Sequence, residues 1–143
     1  MTPRFNQLLN EGIYFDNLYA SGDRTNKGVP AVLSGYPAMP NTTIIHNPAK
    51  SAKLNTLTQE LAAKGYTTSF IYGGEPEFAN IKSYLVHAGF NTILGRNDFS
   101  EKDMNSKWGA HDGVVMERVM KELEQQTSPF FTTWLTLSSH EPF

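Results

Sequence analysis

Apolar and polar positions along the chain switch repeatedly between a period of two and a period near 3.6 residues. Thr2-Pro3, followed by Phe5, Leu8 and Leu9 and closed by Gly12, predicts a short helix with a capped start and a glycine stop. Gly12 to Ala20 alternates and predicts a strand, after which Val29, Ala31, Val32 and Leu33 predict a buried helix turn starting near Thr25. Pro37 and Pro40 discourage helix in the next connection, which reads as loop to about Asn55. Thr56 and Gln59 have capping-box spacing ahead of a helix carrying Leu57, Leu61 and Ala62 on one face, and Lys64-Gly65 ends it.

Tyr66 to Tyr72 predicts a strand running into Gly73-Gly74, and Phe78, Ile81, Tyr84 and Leu85 repeat at helical spacing up to Gly89. Phe90 to Leu94 reads as a short strand, and a polar loop carries Arg96 to Lys107. An amphipathic helix follows from His111 to about Gln126, with Val115, Val119, Met120 and Leu123 on one side. Phe130 to Ser138, β-branched, aromatic and apolar on both faces, is the strongest strand and is expected at the centre of a sheet. Strands alternating with helices predict an α/β fold, a parallel sheet covered on both faces. In such sheets ligands bind at the carboxyl ends of the strands, where Ser21–Lys27, Gly73-Gly74 and Ser138–His140 all fall. There is no internal repeat and no low-complexity tract.

Composition narrows the chemistry. The 143 residues are 39% hydrophobic and 12% aromatic, enough for one globular domain with a core. A net charge of −2 with scattered basic residues gives no nucleic-acid surface. The chain has no cysteine, which removes disulfides, thiolate zinc sites and a cysteine nucleophile. No apolar run approaches the roughly 20 residues a membrane helix needs.

The run from Tyr19 to Gly35 concentrates the candidate chemistry on Thr25. A threonine at a strand-to-helix junction lies beside unpaired backbone amides and the positive end of a helix dipole, a setting suited to an anionic ester. Thr25 in that place can accept a phosphoryl group. Thr25-Asn26 is equally the composition of an ordinary N-cap pair, and spacing alone leaves both readings open.

The run Asn17-Leu-Tyr-Ala-Ser-Gly-Asp-Arg-Thr-Asn-Lys-Gly28, with Ala31-Val-Leu-Ser-Gly-Tyr-Pro37, resembles the nucleophile segment of the sulfatase-like enzymes of the alkaline phosphatase superfamily. It is most similar to their lipoteichoic acid synthase and phosphoglycerol transferase branch, which uses a threonine where most sulfatases carry a modified cysteine or serine. The resemblance covers nearly the whole chain. It implies an alkaline phosphatase-like three-layer α/β/α fold with a mostly parallel central sheet, of which residues 1–143 form the N-terminal part as a single partial domain, truncated at both ends. Thr25 is then nucleophile and metal ligand for a divalent cation (manganese, magnesium or zinc). An acidic ligand would precede Met1 and an Asp-His pair would follow Phe143, so the isolated chain is expected to be inactive.

The terminal Ser138-Ser-His-Glu-Pro-Phe143 also resembles the family, and it places His140 against the substrate headgroup or transferred phosphate. A histidine bonded to a backbone carbonyl at a strand end is the alternative. Arg24 and Lys27 are candidate phosphate partners, although charges flanking a surface turn are commonly solvated. His111-Asp112 opens a helix where Asp suits the dipole, which favours capping over a metal pair. Trp108 reads as structural, and His46 and His87 as non-ligands. The segment Tyr72 to Lys82 departs from lipoteichoic acid synthases: Tyr72, Ala79 and Ile81 stand where those enzymes carry a histidine, a tryptophan and an arginine for glycerol phosphate.

The resemblance therefore implies part of a metal-dependent phosphoglycerol- or phosphoethanolamine-transferase-like enzyme. It would act on phosphate or sulfate esters with lipid or glycan headgroups, outside a bacterial cytoplasmic membrane reached through segments not in this chain. A sulfuric ester hydrolase and a non-catalytic binding module of the same fold are the alternatives.

Overall fold

The computed structural model describes residues 3–141. Thr2, expected to cap the first helix, and Pro142 and Phe143 of the terminal motif lie outside the described residues. In chain order the elements are α1 (Pro3–Leu8), α2 (Thr25–Ser34), α3 (Pro48–Ser51), α4 (Leu57–Ala62), β1 (Thr67–Tyr72), α5 (Ile81–His87), β2 (Thr92–Leu94), α6 (Asp112–Glu124) and β3 (Phe130–Leu135).

The strands form one parallel sheet in the order β2-β1-β3. Successive side chains of a strand point to opposite faces, and Phe70 and Ile71 of β1 are both 0% exposed, so both faces of the sheet are covered. On the Phe70 face α2 and α5 supply Leu33, Ile81, Tyr84 and Leu85. On the Ile71 face α6 supplies Val115 and Val119. This is the expected three-layer α/β/α arrangement, with α5 and α6 serving as the crossovers that parallel strands require.

Register carries the alternation across the sheet: Phe70 lies beside Ile93 and Thr133, and Ile71 beside Leu94 and Trp134. The expectation that Phe130–Ser138 is central is not met among the described residues. β1 is central, and β3 is an edge strand that ends at Leu135. An apolar sequence reports that a strand is covered, and Phe131, Trp134 and Leu135 are covered by packing on the two clusters without a second neighbouring strand.

A second expectation fails at the N-terminus. Gly12–Ala20 forms no strand, and Ile13, Leu18 and Tyr19 are 88%, 83% and 85% exposed. An alternating segment becomes a strand only where a neighbour takes its backbone groups, and among the described residues none lies beside it. Elsewhere the stretch read as loop contains α3, capped by Asn47, whose side chain accepts from the Lys50 amide, with Pro48 at the first turn. Half of the predicted capping box is present: Thr56 Oγ1 accepts from the Gln59 amide at 3.1 Å, while Gln59 Nε2 donates to the His87 carbonyl at 2.9 Å.

The burial pattern predicts the energetics. Phe70→Ala, which removes a fully buried ring set edge-on to Phe90 at 5.7 Å, should cost about 3–5 kcal/mol in urea denaturation. Ile13→Ala should change stability by no more than about 0.5 kcal/mol. A large loss at Ile13 would place Gly12–Ala20 in the folded core after all.

Candidate functional site

Two groups of candidate residues lie at the carboxyl side of the sheet. The first is the turn into α2. Gly22 has φ of 96°, and a Cβ there would lie 2.8 Å from both Ala38 Cβ and Lys27 Cβ, so only glycine fits the turn. The turn is fastened to the Tyr36–Thr43 connection: Ser21 Oγ accepts from the Ala38 amide at 3.1 Å, and Lys27 Nζ donates to the Pro40 carbonyl at 3.2 Å.

Within α2, Pro30 has no N–H to offer the Asn26 carbonyl one turn earlier. The buried Thr43 supplies the missing donor through Oγ1. The prolines and threonines that read as a loop are thus what hold the start of this helix.

Thr25 is the first residue of α2 and is exposed. It follows an irregular turn rather than the predicted strand. The cap residue is Arg24, in extended conformation, with no side-chain cap hydrogen bond. Capping therefore does not occupy the Thr25 hydroxyl, and the Thr25 and Asn26 amides find no hydrogen-bond partner among the described residues. Two free amides at the positive end of a ten-residue helix attract an anion.

Of the two candidate cations, Lys27 is already engaged. Its ammonium lies 2.9 Å from Asp23, its side chain is only 14% exposed, and it holds the Asp23 carboxyl below the usual carboxylate range. Arg24 is exposed and forms no ion pair among the described residues. Thr25 lines an apolar groove of about 280 Å³ with Val29, Val32, Trp134 and Leu135.

The second group is a cleft of about 250 Å³ at the ends of β1 and β3. Tyr72, Phe78 and Trp108 give it aromatic walls, Arg96 and Lys107 give it positive charge, and His140 closes one side. Its floor rests on the two glycines after β1. The Gly73 carbonyl accepts from the Ala110 amide at 3.0 Å and the Gly74 carbonyl from the Arg96 amide at 2.8 Å. A Cβ at Gly73 would lie 2.2 Å from the Ala110 carbonyl oxygen, so this contact between loops excludes any larger residue.

His140 sits where the sequence places it, in the turn after β3. Its ring packs edge-on against Trp108 at 5.1 Å, and its Nδ1 donates to the Glu141 carbonyl at 2.7 Å. The backbone-carbonyl alternative is therefore met by one ring nitrogen, and Nε2 has no hydrogen-bond partner among the described residues. Asp112 is occupied as a structural group: its carboxylate accepts from the Leu137 amide at 2.7 Å and the Ser138 amide at 3.1 Å. His87 Nδ1 donates to the Ser83 carbonyl within its own helix, and His46 is exposed in a short 3-10 turn.

Thr25 and His140 line different depressions. Arg96, Lys107 and Glu75, which the sequence reading did not single out, belong to the cleft, and Arg96 lies 3.8 Å from Glu75. They come from two separate loops, and only the parallel order of the strands brings them together. Among the described residues no three His, Asp or Glu side chains converge as a metal site. No helix of the described residues is long and apolar enough to cross a membrane.

The cleft makes one pH prediction. Burial, then the negative charges of Asp112 and Glu75, push the Tyr72 phenol above its ordinary value. Its contribution to stability is intact below the unfolded value of about 10 and is lost as pH rises through the higher folded value. Tyr72→Phe should flatten the fall in stability above about pH 10, measured by urea denaturation across that range. An unchanged fall would mean that Tyr72 ionises as an exposed phenol.

The whole chain, residues 1–143, matches the sulfatase family model. Over 99% of its length it is 24% identical to phosphoglycerol transferase I of Xanthomonas campestris, and over its full length 28% identical to lipoteichoic acid synthase 2 of Bacillus subtilis. It spans 22% and 23% of those relatives, less than a quarter of each. A crystal structure of an alkaline phosphatase superfamily protein from Vibrio parahaemolyticus superposes with a TM-score of 0.89 at 31% identity, covering 98% of this chain and 35% of that one. A lipoteichoic acid synthase from Listeria monocytogenes, 20% identical, shares the fold with a TM-score of 0.87 over 99% of this chain and 35% of that one. With the α/β/α layers and the strand-end site already in place, the match over every residue shows that this chain belongs to the sulfatase family.

Proposed function

We propose that these residues are part of the catalytic domain of a phosphoryl-ester transferase or hydrolase, of the phosphoglycerol- or phosphoethanolamine-transferase kind, with Thr25 as nucleophile. The observation that carries this reading is the exposed, uncapped Thr25 hydroxyl at the first position of α2, beside two unpaired amides. Thr25 Oγ1 attacks phosphorus in line as its hydroxyl proton passes to solvent; the new O–P bond forms as the ester P–O bond on the opposite side breaks, and the departing alkoxide takes up a proton from solvent. A hydroxyl of an acceptor, or water, then displaces Thr25 and restores it. Helix amides and Arg24 are placed to receive the charge on the transferred group's oxygens.

His140 and Arg96 make the neighbouring cleft a site for the anionic headgroup of the ester, with Lys107 adding charge. A divalent cation, manganese, magnesium or zinc, would take Thr25 as one ligand and its other ligands from outside these residues. The parent protein would act at the outer face of a bacterial cytoplasmic membrane, and residues 1–143 by themselves would be inactive.

The test uses the full-length parent protein with a chromogenic phosphodiester and a sulfate ester. Thr25→Ala should lower phosphodiester turnover by about 10³-fold or more with the fold intact. Arg96→Ala should raise KM by about 10- to 100-fold, the worth of a charge-assisted hydrogen bond. Undiminished turnover in Thr25→Ala would remove it as nucleophile. Faster turnover of the sulfate ester would make the protein a sulfatase in activity, and no turnover of either ester by the parent would favour a non-catalytic binding module.

A further inference from the structure

Trp108 stands in a loop fixed at several points. Ser106 Oγ donates to the Gly109 carbonyl at 2.8 Å and accepts from the Trp108 and Gly109 amides at 3.3 and 3.1 Å. Asn105 Oδ1 accepts from the His111 amide at 2.8 Å. Gly109 has φ of 147°, and a Cβ there would lie 2.0 Å from the Gly73 carbonyl oxygen, so the loop backbone lies directly on the end of β1. The indole is presented by a backbone with little freedom to move.

That indole meets the His140 turn at two points, and the Lys107 ammonium lies 5.2 Å from its ring centroid. Trp108 Nε1 donates to the Glu141 carbonyl at 2.7 Å, the same oxygen that accepts from His140 Nδ1, and the two rings meet edge-on at 61°. The opposite side of the turn is held by Asp112. Its carboxylate takes the Leu137 and Ser138 amides, and its own amide donates to Ser138 Oγ at 2.8 Å. The His140 amide closes the turn onto the Leu137 carbonyl at 2.9 Å. His140 is thus gripped at its ring by Trp108 and through its backbone by Asp112.

A carbonyl oxygen only accepts, so the hydrogen on the neutral ring sits on Nδ1 and the lone pair on Nε2. A solvated histidine in water prefers the other tautomer. We propose that Trp108 and Asp112 are positioning residues that hold His140 in one orientation and one tautomer, presenting Nε2 in the cleft. This rests on the reading of His140 as a group that meets the substrate. Asp112 then serves the site without touching a metal, and Trp108, which read as structural, serves through its ring.

Long-range proton–nitrogen spectra of the 143-residue chain, labelled at histidine nitrogens, test this at a pH where imidazole is neutral. His140 should carry its hydrogen on Nδ1. Asp112→Ala and Trp108→Phe should each move it toward the Nε2–H form while the β1 amide signals stay in place. If Asp112→Ala fails to fold, Trp108→Phe decides, since it keeps a ring and removes the indole donor. Retention of Nδ1–H in every variant that folds, or Nε2–H in the unaltered chain, overturns the proposal. In the full-length protein the same variants should lower kcat/KM for the phosphodiester by about 10- to 100-fold, through KM. Absence of turnover in the unaltered parent would defeat the catalytic reading and leave the tautomer result to stand on its own.

Discussion

A strand buried on both faces can satisfy its backbone only through neighbouring strands, and β1 depends on that constraint. Phe70 and Ile71 face opposite layers and are fully buried, so the amides and carbonyls between them must pair with β2 and β3. Parallel pairing sends all three strand ends to one rim. The glycines after β1 then let two loops close on that rim, through the Ala110 amide on Gly73 and the Arg96 amide on Gly74. Glu75, Phe78, Arg96, Lys107 and Trp108 of the cleft are carried by these connections, and Leu137 and His140 by the turn after β3, so the site follows from how the parallel strands end together.

The turn into α2 is organised differently. It owes little to the sheet and much to local compensation: a glycine where no Cβ fits, a helix proline whose missing donor is replaced by Thr43, and a lysine neutralised by Asp23. Its outcome is an exposed threonine hydroxyl at the first position of α2, not engaged in capping among the described residues. The cleft, by contrast, gathers aromatic surface and positive charge around His140. The Thr25 turn and the cationic, aromatic cleft line different depressions, and the molecule builds them from distinct segments.

The helices and most strand positions were legible because burial imposes its period on the sequence. Ile81, Tyr84 and Leu85 mark the buried face of α5, and Val115 and Val119 that of α6, whereas Phe78, at the same spacing, lies before α5 and is 72% exposed. What the period cannot report is pairing. Gly12–Ala20 alternates as well as β1 does yet has no neighbouring strand among the described residues, and the apolar character of β3 accompanies its packing on two core clusters rather than a central place. Of the candidate site, Thr25 and His140 were legible through the motifs around them. Arg96, Glu75 and Lys107 were not, because isolated charges in polar loops acquire meaning only when the sheet brings the loops together. Trp108 reads as structural in the sequence, and its contact with the His140 turn spans more than thirty positions, which no local pattern reports. The Asn47-Pro48 start of α3 was a local signal, a cap followed by a first-turn proline, passed over inside a proline-rich connection.

The central claim is that Thr25 forms a covalent phosphoryl-type intermediate. Its most direct test is an acid-quenched reaction of the full-length protein with a phosphodiester, followed by peptide mass mapping. The account predicts that the added phosphoryl-type mass lies on the peptide containing Thr25, fragments to Thr25 itself and disappears when acceptor is supplied before the quench. An adduct on any other side chain, or turnover with no adduct under conditions that slow its release, would contradict it.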